Sequence, residues 1–590
     1  MAMNSFWKTT LAVIVGMILY SILRLLWLVA FMAQFVNLYR TTSSVELRPN
    51  SVLVLNLNGQ IEDKVINKTN FSFLSPNVKR YSLSDVIRAI EYASWDKRIS
   101  GILLDERNMV ADWSQLEELR EAIKDFKSSG KFVIAFSDIY TQKNYYLSSV
   151  ADKVYAVPTG IFLWKGLSAQ ILFYKNLFDK LGIKVMVFRH GKYKSAVEPY
   201  ITDKISKPNR EQLQHLLGVI WGHVLNDVSN SRHIPVKVLD SMASNLAVKD
   251  VADAQRYGLI DGQIYYDQML DTLRKLMLVP GNESVNMINI SDYIKAIKAP
   301  RQVTSDKVAV VYMQGMIVDA STGTLNNEIV STRSVRLLEK LRKDPQVKAV
   351  VLRVNSPGGS AMAADEIWRE IERVKQDKPV VVSMSGVAAS GGYYISCGAD
   401  KIVADPMTIT GSIGVFGMYV NAKGLLTDKL GITTSVVQTN PNADIDPFFG
   451  QLTEAQKAYL KYNIDKVYRT FLERVAKGRN LSVADVDSIA QGRVWTGIDA
   501  YQIGLADTLG NLQTAISIAA SLANLKVYKV VEYPKPKTFL ELLMENYSSM
   551  LSDTKVLGPE QSKILQRVRL LYDFAKRKEI LALMPWQMNM

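Results

Sequence analysis

The sequence predicts an α/β protein built from two tandem copies of one domain, with a membrane-spanning helix before them and a helical tail after them. Three observations point this way. Residues 11–36 form one apolar run; from residue 51 onward, short apolar strands alternate with segments of helical period; and this alternation occurs twice. The clearest internal match sets Tyr145-Tyr-Leu-Ser-Ser-Val-Ala-Asp-Lys-Val154 against Tyr393-Tyr-Ile-Ser-Cys-Gly-Ala-Asp-Lys-Ile402, an offset of 248.

Taken in order, residues 1–40 read as an anchor whose span is Leu11 to Val36. As a helix this run reaches roughly 39 Å, more than the ~30 Å hydrocarbon core. Arg24 lies in its middle, at a cost of ~2.5 to 3.5 kcal/mol at full depth that snorkelling and apolar neighbours offset. No small-x-small cleavage signal follows the run, so an uncleaved anchor is expected. Flanking charge is sparse, with Lys8 before and Arg40 and Arg48 after, and favours the short N-terminal tail inside.

Residues 41–290 form the first repeat and 291–530 the second. Ser51 to Gly59 answers to Lys307 to Gly315, each an apolar strand ending at glycine, and Ile99 to Leu104 answers to Val347 to Leu352. Phe132 to Phe136 and Val380 to Met384 read as near-continuous apolar runs, the second broken only by Ser383, as in parallel strands covered on both faces. The seam is expected near Pro280 to Asp306, where Pro and Gly interrupt the periodicity. Residues 531–590 read as a tail in which 540–583 form two amphipathic helices split at Leu557-Gly558-Pro559.

Composition narrows the function classes. A chain of 590 residues, 48% hydrophobic and 22% charged, holds several cores. The net charge of +14 is spread among acids rather than gathered in a stripe, and no nucleic-acid motif appears, so no nucleic-acid partner is expected. A single cysteine, Cys397, excludes an intrachain disulfide and a Cys-based structural zinc site, and reads as a small buried residue. No His/Asp/Glu cluster has metal-ligand spacing, and the glycine turns lack the Lys-Ser/Thr ending of a phosphate loop. The chemistry implied needs no cofactor.

The repeat also exposes what each half lacks. Ser390, in Ala388-Ala389-Ser390-Gly391-Gly392, falls opposite Gln142, while Lys194, in Gly191-Lys192-Tyr193-Lys194-Ser195, falls near Asn442-Ala443. Each half is therefore expected to supply one part of a single site. A serine hydroxyl attacks only when a neighbouring base takes its proton, and lysine serves only when neutral. Its pKa must drop from about 10.4 to roughly 7 or 8, which requires burial. The apolar strand Val185 to Phe188 and the turns at Gly191 and Glu198-Pro199 permit that. A second glycine pair, in Asn355-Ser356-Pro357-Gly358-Gly359, follows the strand Val350 to Val354; free N–H groups at Gly358 or Gly359, together with that of Gly391, suit an oxyanion. His190, close to Lys194, offers a conventional triad as an alternative.

At these motifs the chain resembles the signal peptide peptidase A (protease IV) family in its long duplicated form, within the Clp protease and crotonase superfamily. The residues carrying the resemblance are Gly191-x-Tyr193-Lys194-Ser195-Ala196-x-Glu198-Pro199, Asn355 to Gly359, Ala389-Ser390-Gly391-Gly392-Tyr393 and Thr410-Gly411-Ser412-Ile413-Gly414-Val415. The resemblance implies Clp protease/crotonase-like domains of repeated ββα units, with Ser390 as nucleophile and Lys194 as general base. It further implies that Ser412 holds the lysine and that Gly359 and Gly391 line the oxyanion hole. The family's setting would be a single-pass anchor in the bacterial cytoplasmic membrane with an extracytoplasmic, periplasmic body, a homotetramer, and substrates that are signal peptide remnants. The rival readings are a crotonase-like acyl-thioester enzyme and a catalytically silent membrane scaffold.

Overall fold

The computed structural model describes residues 47–66, 79–281, 283–297, 304–320, 327–535 and 581–584, with isolated positions between 16 and 27. The expected span 11–36 lies outside the described residues apart from those positions, and so do the expected tail helices apart from their end. Among the described residues no helix is long and apolar enough to cross a membrane.

Among the described residues the first half contributes nine strands: β1 (Ser51–Leu55), β2 (Gln60–Glu62), β3 (Arg80–Ser82), β4 (Ile99–Leu104), β5 (Phe132–Tyr140), β6 (Lys153–Phe162), β7 (Lys184–His190), β8 (Gly262–Gln263) and β9 (Asn286–Asn289). Six of them make one parallel sheet in the order β8-β6-β5-β4-β1-β9. Its central strands alternate between two cores. On β1, Leu53 and Leu55 enter one apolar cluster and Val52 and Val54 the other, which is why the run reads as uninterrupted hydrophobic sequence. The expected seam is itself structured: β9 pairs with β1, and the helix Ile290–Ala296 packs beneath it.

The second half follows the same plan with β10 (Lys307–Gln314), β11 (Met316–Val318), β12 (Glu328–Val330), β13 (Val347–Ser356), β14 (Gly358–Ser360), β15 (Val380–Ala389), β16 (Lys401–Ala404), β17 (Ile409–Gly411), β18 (Val415–Asn421), β19 (Val494–Thr496), β20 (Thr508–Leu509) and β21 (Lys529–Tyr533). Its main sheet runs β19-β17-β15-β13-β10-β21, with β16 and β20 joined at β15. Here too alternate residues of β10 divide between two clusters, Ala309, Val311 and Met313 on one face and Val308, Val310 and Tyr312 on the other.

Duplication is visible in matched bonds. Tyr145 donates from its hydroxyl to the Leu259 carbonyl at 2.7 Å, and Tyr393 to the Leu505 carbonyl at 2.9 Å. The Val154 N–H donates to Asp261 and the Ile402 N–H to Asp507, both at 2.8 Å.

A third sheet joins the halves. Its order is β12-β11-β14-β22-β18-β7, where β22 is Leu581–Leu583 and, among the described residues, β7 alone comes from the first half. β7 lies antiparallel to β18 from Lys184↔Asn421 to His190↔Val415, and it leads directly into the lysine loop. β22 corrects an expectation: its residues were assigned to the end of a tail helix but pair as a strand, because the edges of β14 and β18 offer them backbone partners that override local preference.

Candidate active site

β15 delivers Ser390 at a sharp turn into the short helix Gly391–Ser396. The serine sits at φ 57°, ψ −115°, a conformation that costs a non-glycine residue about 1–3 kcal/mol and persists because the surroundings hold it. Those surroundings are the Gly411 carbonyl, which accepts the Ser390 N–H at 2.8 Å, and the packing of Gly392, where a Cβ would come within 2.5 Å of the Ser356 carbonyl oxygen. The hydroxyl caps no helix and is left for another partner.

That partner is Lys194, whose Nζ lies 2.7 Å from Ser390 Oγ, 2.9 Å from the Ser412 carbonyl oxygen and 3.0 Å from Ser412 Oγ. All three side chains are fully buried. Burial alone drives the lysine pKa well below its ordinary value. Three contacts match a neutral amine: two N–H bonds to the Ser412 oxygens, and one lone pair facing the Ser390 hydroxyl. The pair can therefore deprotonate the serine without a histidine.

The lysine loop is docked from several sides. The Tyr193 N–H donates to the Gln491 carbonyl at 2.9 Å, and Arg189 donates to the Lys194 carbonyl at 3.1 Å. Gln212 donates to the Tyr193 carbonyl and to Ser195 Oγ, both at 3.1 Å, and accepts the Val494 N–H at 3.3 Å. Buried Glu198 accepts from Ser206 at 2.6 Å and Asn209 at 2.9 Å. Gly492, at φ 78°, lies against the lysine so closely that a Cβ would meet Lys194 Cβ at 2.6 Å. On the other side of the lysine, the Ser412 N–H is fixed to the Arg493 carbonyl. Gln212, Asn209, Arg189 and Gly492 were not singled out from sequence. A lone glutamine on a long helix and a glycine in a turn carry no signature of their own.

The glycine turn between β13 and β14 lies beside the serine. The Gly358 N–H is taken by Ser356 Oγ at 3.1 Å. At Gly359 a Cβ would sit 2.0 Å from the Ile317 carbonyl oxygen, so β14 can pack against β11 only with glycine there. In the first half the position opposite Ser390 is closed: Gln142 is buried, donates to the Gly166 carbonyl and accepts the Lys165 N–H.

Of the other candidates, His190 points away from the serine, toward Asp465 at 2.9 Å and against the Tyr468 ring. Cys397 is buried in the second core, with its thiol pushed up to about 12 by desolvation. Among the described residues folding brings together one group that sequence spacing did not show: Glu117, His223 and Asp227, whose ligand atoms lie within 4.8 Å of one another. The Tyr146 hydroxyl bonds both carboxylates and Arg120 lies 3.9 Å from Asp227, so their charge is met inside the protein.

A buried serine and lysine in a duplicated α/β body define the class, a serine peptidase. The model of peptidase family S49 matches residues 125–279 and 372–526, and the Clp protease model matches residues 301–408. The chain is 36% identical over 541 residues to Protease 4 of Haemophilus influenzae, spanning 88% of this chain and 86% of that protein. It is 35% identical over 538 residues to Protease 4 of Salmonella typhi, spanning 88% and 85%. To the chloroplastic serine protease SPPA of Arabidopsis thaliana it is 32% identical over 512 residues, spanning 85% and 74%. The chain belongs to peptidase family S49. A solved ClpP1 mutant from Listeria monocytogenes covers 35% of this chain and 94% of its own at 15% identity, with a TM-score of 0.24, too low to bear on the fold.

Proposed function

We propose that the protein is a Ser-Lys endopeptidase that degrades cleaved signal peptides and other apolar peptides. The observation that carries this reading is the 2.7 Å contact between two fully buried groups, Lys194 Nζ and Ser390 Oγ, drawn from different halves. Neutral Lys194, held by Ser412, takes the Ser390 proton as Oγ attacks a peptide carbonyl. The N–H groups of Gly359 and Gly391 stabilise the oxyanion. The lysine then protonates the leaving amine, and water releases the acyl-enzyme by the same route in reverse.

The rest of the reading concerns its setting: an anchor at residues 11–36 in the bacterial cytoplasmic membrane, an extracytoplasmic body, and a homotetramer. The apolar run supports the anchor, and the family membership, which includes a relative named signal peptide peptidase SppA in Enterococcus faecium, supports the substrate class.

The test is hydrolysis of an apolar signal-sequence peptide by the detergent-solubilised protein. Ser390→Ala should abolish turnover and acyl-enzyme formation. Lys194→Ala should lower kcat by about 10²–10⁴-fold, the usual worth of a general base. Turnover unchanged in either variant would overturn the mechanism.

A further inference from the structure

The turn from Ala490 to Arg493 links the helix Val483–Ile489 to β19, and it touches the base and its partner at once. Toward the lysine loop, the Gln491 carbonyl accepts the Tyr193 N–H at 2.9 Å, and Gly492 packs on Lys194 itself. Toward Ser412, the Arg493 carbonyl accepts the Ser412 N–H at 2.6 Å, and the Gly492 N–H donates to the Ile413 carbonyl at 2.8 Å. The Gly492 carbonyl lies 3.5 Å from Ser412 Oγ. The turn therefore sets where the amine stands relative to the serine that orients it.

Its backbone is strained. Gln491 stands at φ 53°, in the left-handed region that a side chain makes unfavourable, and Gly492 follows at φ 78°. A non-glycine residue keeps such a conformation only when its surroundings hold it. Two residues from two helices do so here. Tyr468, on the helix Glu454–Arg479, accepts the Gln491 N–H at its hydroxyl at 3.3 Å and donates from that hydroxyl to Asp487 at 2.5 Å. Asp487, on the helix Val483–Ile489, accepts the Gln491 side-chain amide at 2.7 Å through the same oxygen. One carboxylate oxygen thus fixes the tyrosine hydroxyl and the glutamine together, while the Tyr468 ring is buried in the second core.

We propose that Tyr468 is a positioning residue for the Ser-Lys reaction: its hydroxyl, locked by Asp487, clamps the strained Gln491–Gly492 turn that holds Lys194 against Ser412. The proposal rests on the assignment of Lys194 as the base made above. With the hydroxyl gone, Gln491 relaxes from φ 53°, the contacts to Tyr193 and Ser412 loosen together, and water reaches an amine whose low pKa depends on burial. The charged groups around the tyrosine, the turn and the lysine loop are Asp487, His190 with its partner Asp465, Arg189 with Glu198 behind it, and Arg493 over the Tyr193 ring. Replacing Tyr468 by Phe leaves every one of them in place.

The experiment is the pH dependence of kcat and KM for an apolar signal-sequence peptide, measured on the full-length, detergent-solubilised protein. Tyr468→Phe keeps the ring and should lower kcat about tenfold, with KM changed by less than about twofold. It should also move the acid limb of kcat/KM upward by about one pH unit, because a wetter lysine holds its proton more firmly. Asp487→Ala lies outside the core and should act in the same direction, which keeps the test open if the buried substitution impairs folding. Gln491→Gly can stand at φ 53° without a clamp and should restore most of the kcat in the Tyr468→Phe chain. An acid limb that stays in place while kcat falls, or no rescue by the glycine, would make Tyr468 a packing residue and overturn the proposal. Failure of the Ser-Lys reading shows separately, as turnover that survives in the Ser390→Ala chain.

Discussion

The charge on one amine decides what the site can do. Lys194 has the Ser412 carbonyl, the Ser412 hydroxyl and the Ser390 hydroxyl as neighbours, and burial with no compensating charge lowers its pKa. Activity should therefore fall as pH drops through that lowered value, since a protonated lysine has no lone pair for the serine. His190→Ala should leave the acid limb of the kcat/KM profile where it is, because that ring faces Asp465. Ser412→Ala removes one of the two oxygens that orient the amine and should cost about tenfold in kcat, the worth of one hydrogen bond. Stability carries the same signature with a definite sign. A buried lysine with a depressed pKa leaves the unfolded chain holding more protons between the folded value and about 10.4, so stability rises with pH across that window. Lys194→Met should flatten this rise in denaturant titrations repeated from pH 6 to 10; an unchanged slope would show the lysine to be charged in the folded protein.

At the scale of elements, the site depends on a loop from one half docking on a turn of the other. Gln212 links the Tyr193 carbonyl and Ser195 to the N–H of Val494, the first residue of β19, so one side chain spans the lysine loop and the strand paired with β17. Gln212→Ala should lower kcat about tenfold with KM nearly unchanged, because it loosens the base without touching the substrate cleft. A KM effect of equal size would move Gln212 into substrate binding. What sequence could and could not show divides along the same line. Lys194, Ser390 and the glycine turn sit in contiguous motifs whose residue types already limit the chemistry, the repeat offset marked which half lacked which part, and Ser412 entered only through the family resemblance. Gln212 and Gly492 act across the fold, and nothing in the residues around either records the partner. β22 shows the same limit: three residues become a strand only because β14 and β18 present their edges, so their own sequence favoured a helix. The strands of the main sheets were legible because burial on both faces leaves an unbroken apolar run, although β13 and β15 continue past that run to Ser356 and Ala389, where the site begins.

For the whole molecule, one site divided between two copies of a domain requires contacts that hold the copies together. A buried ionic network performs that union. Arg353, on β13, donates to Asp63 of the first half at 2.7 Å and pairs with Glu118 of the helix Trp113–Lys127 at 2.5 Å; it also holds Ser383 and Ser385 on β15. Asp63 further accepts from Asn355 at 2.7 Å, and the Asn355 side-chain oxygen accepts the Val387 N–H at 3.1 Å. The first half thus reaches both the glycine turn and the strand that ends at Ser390. Removing one member of such a cluster strands the others in a medium that cannot solvate them, and the usual cost is about 3–5 kcal/mol. Asp63→Ala should lower unfolding stability by that amount in urea, and it should also reduce kcat, because Asn355 loses the acceptor that orients it. Asp63→Asn retains an acceptor for Asn355 and should recover much of the kcat while remaining destabilised by the lost charge. If stability and kcat fell together and recovered together, the network would act only through global folding; recovery of kcat alone would show that this contact between the halves positions the turn as well as joining them.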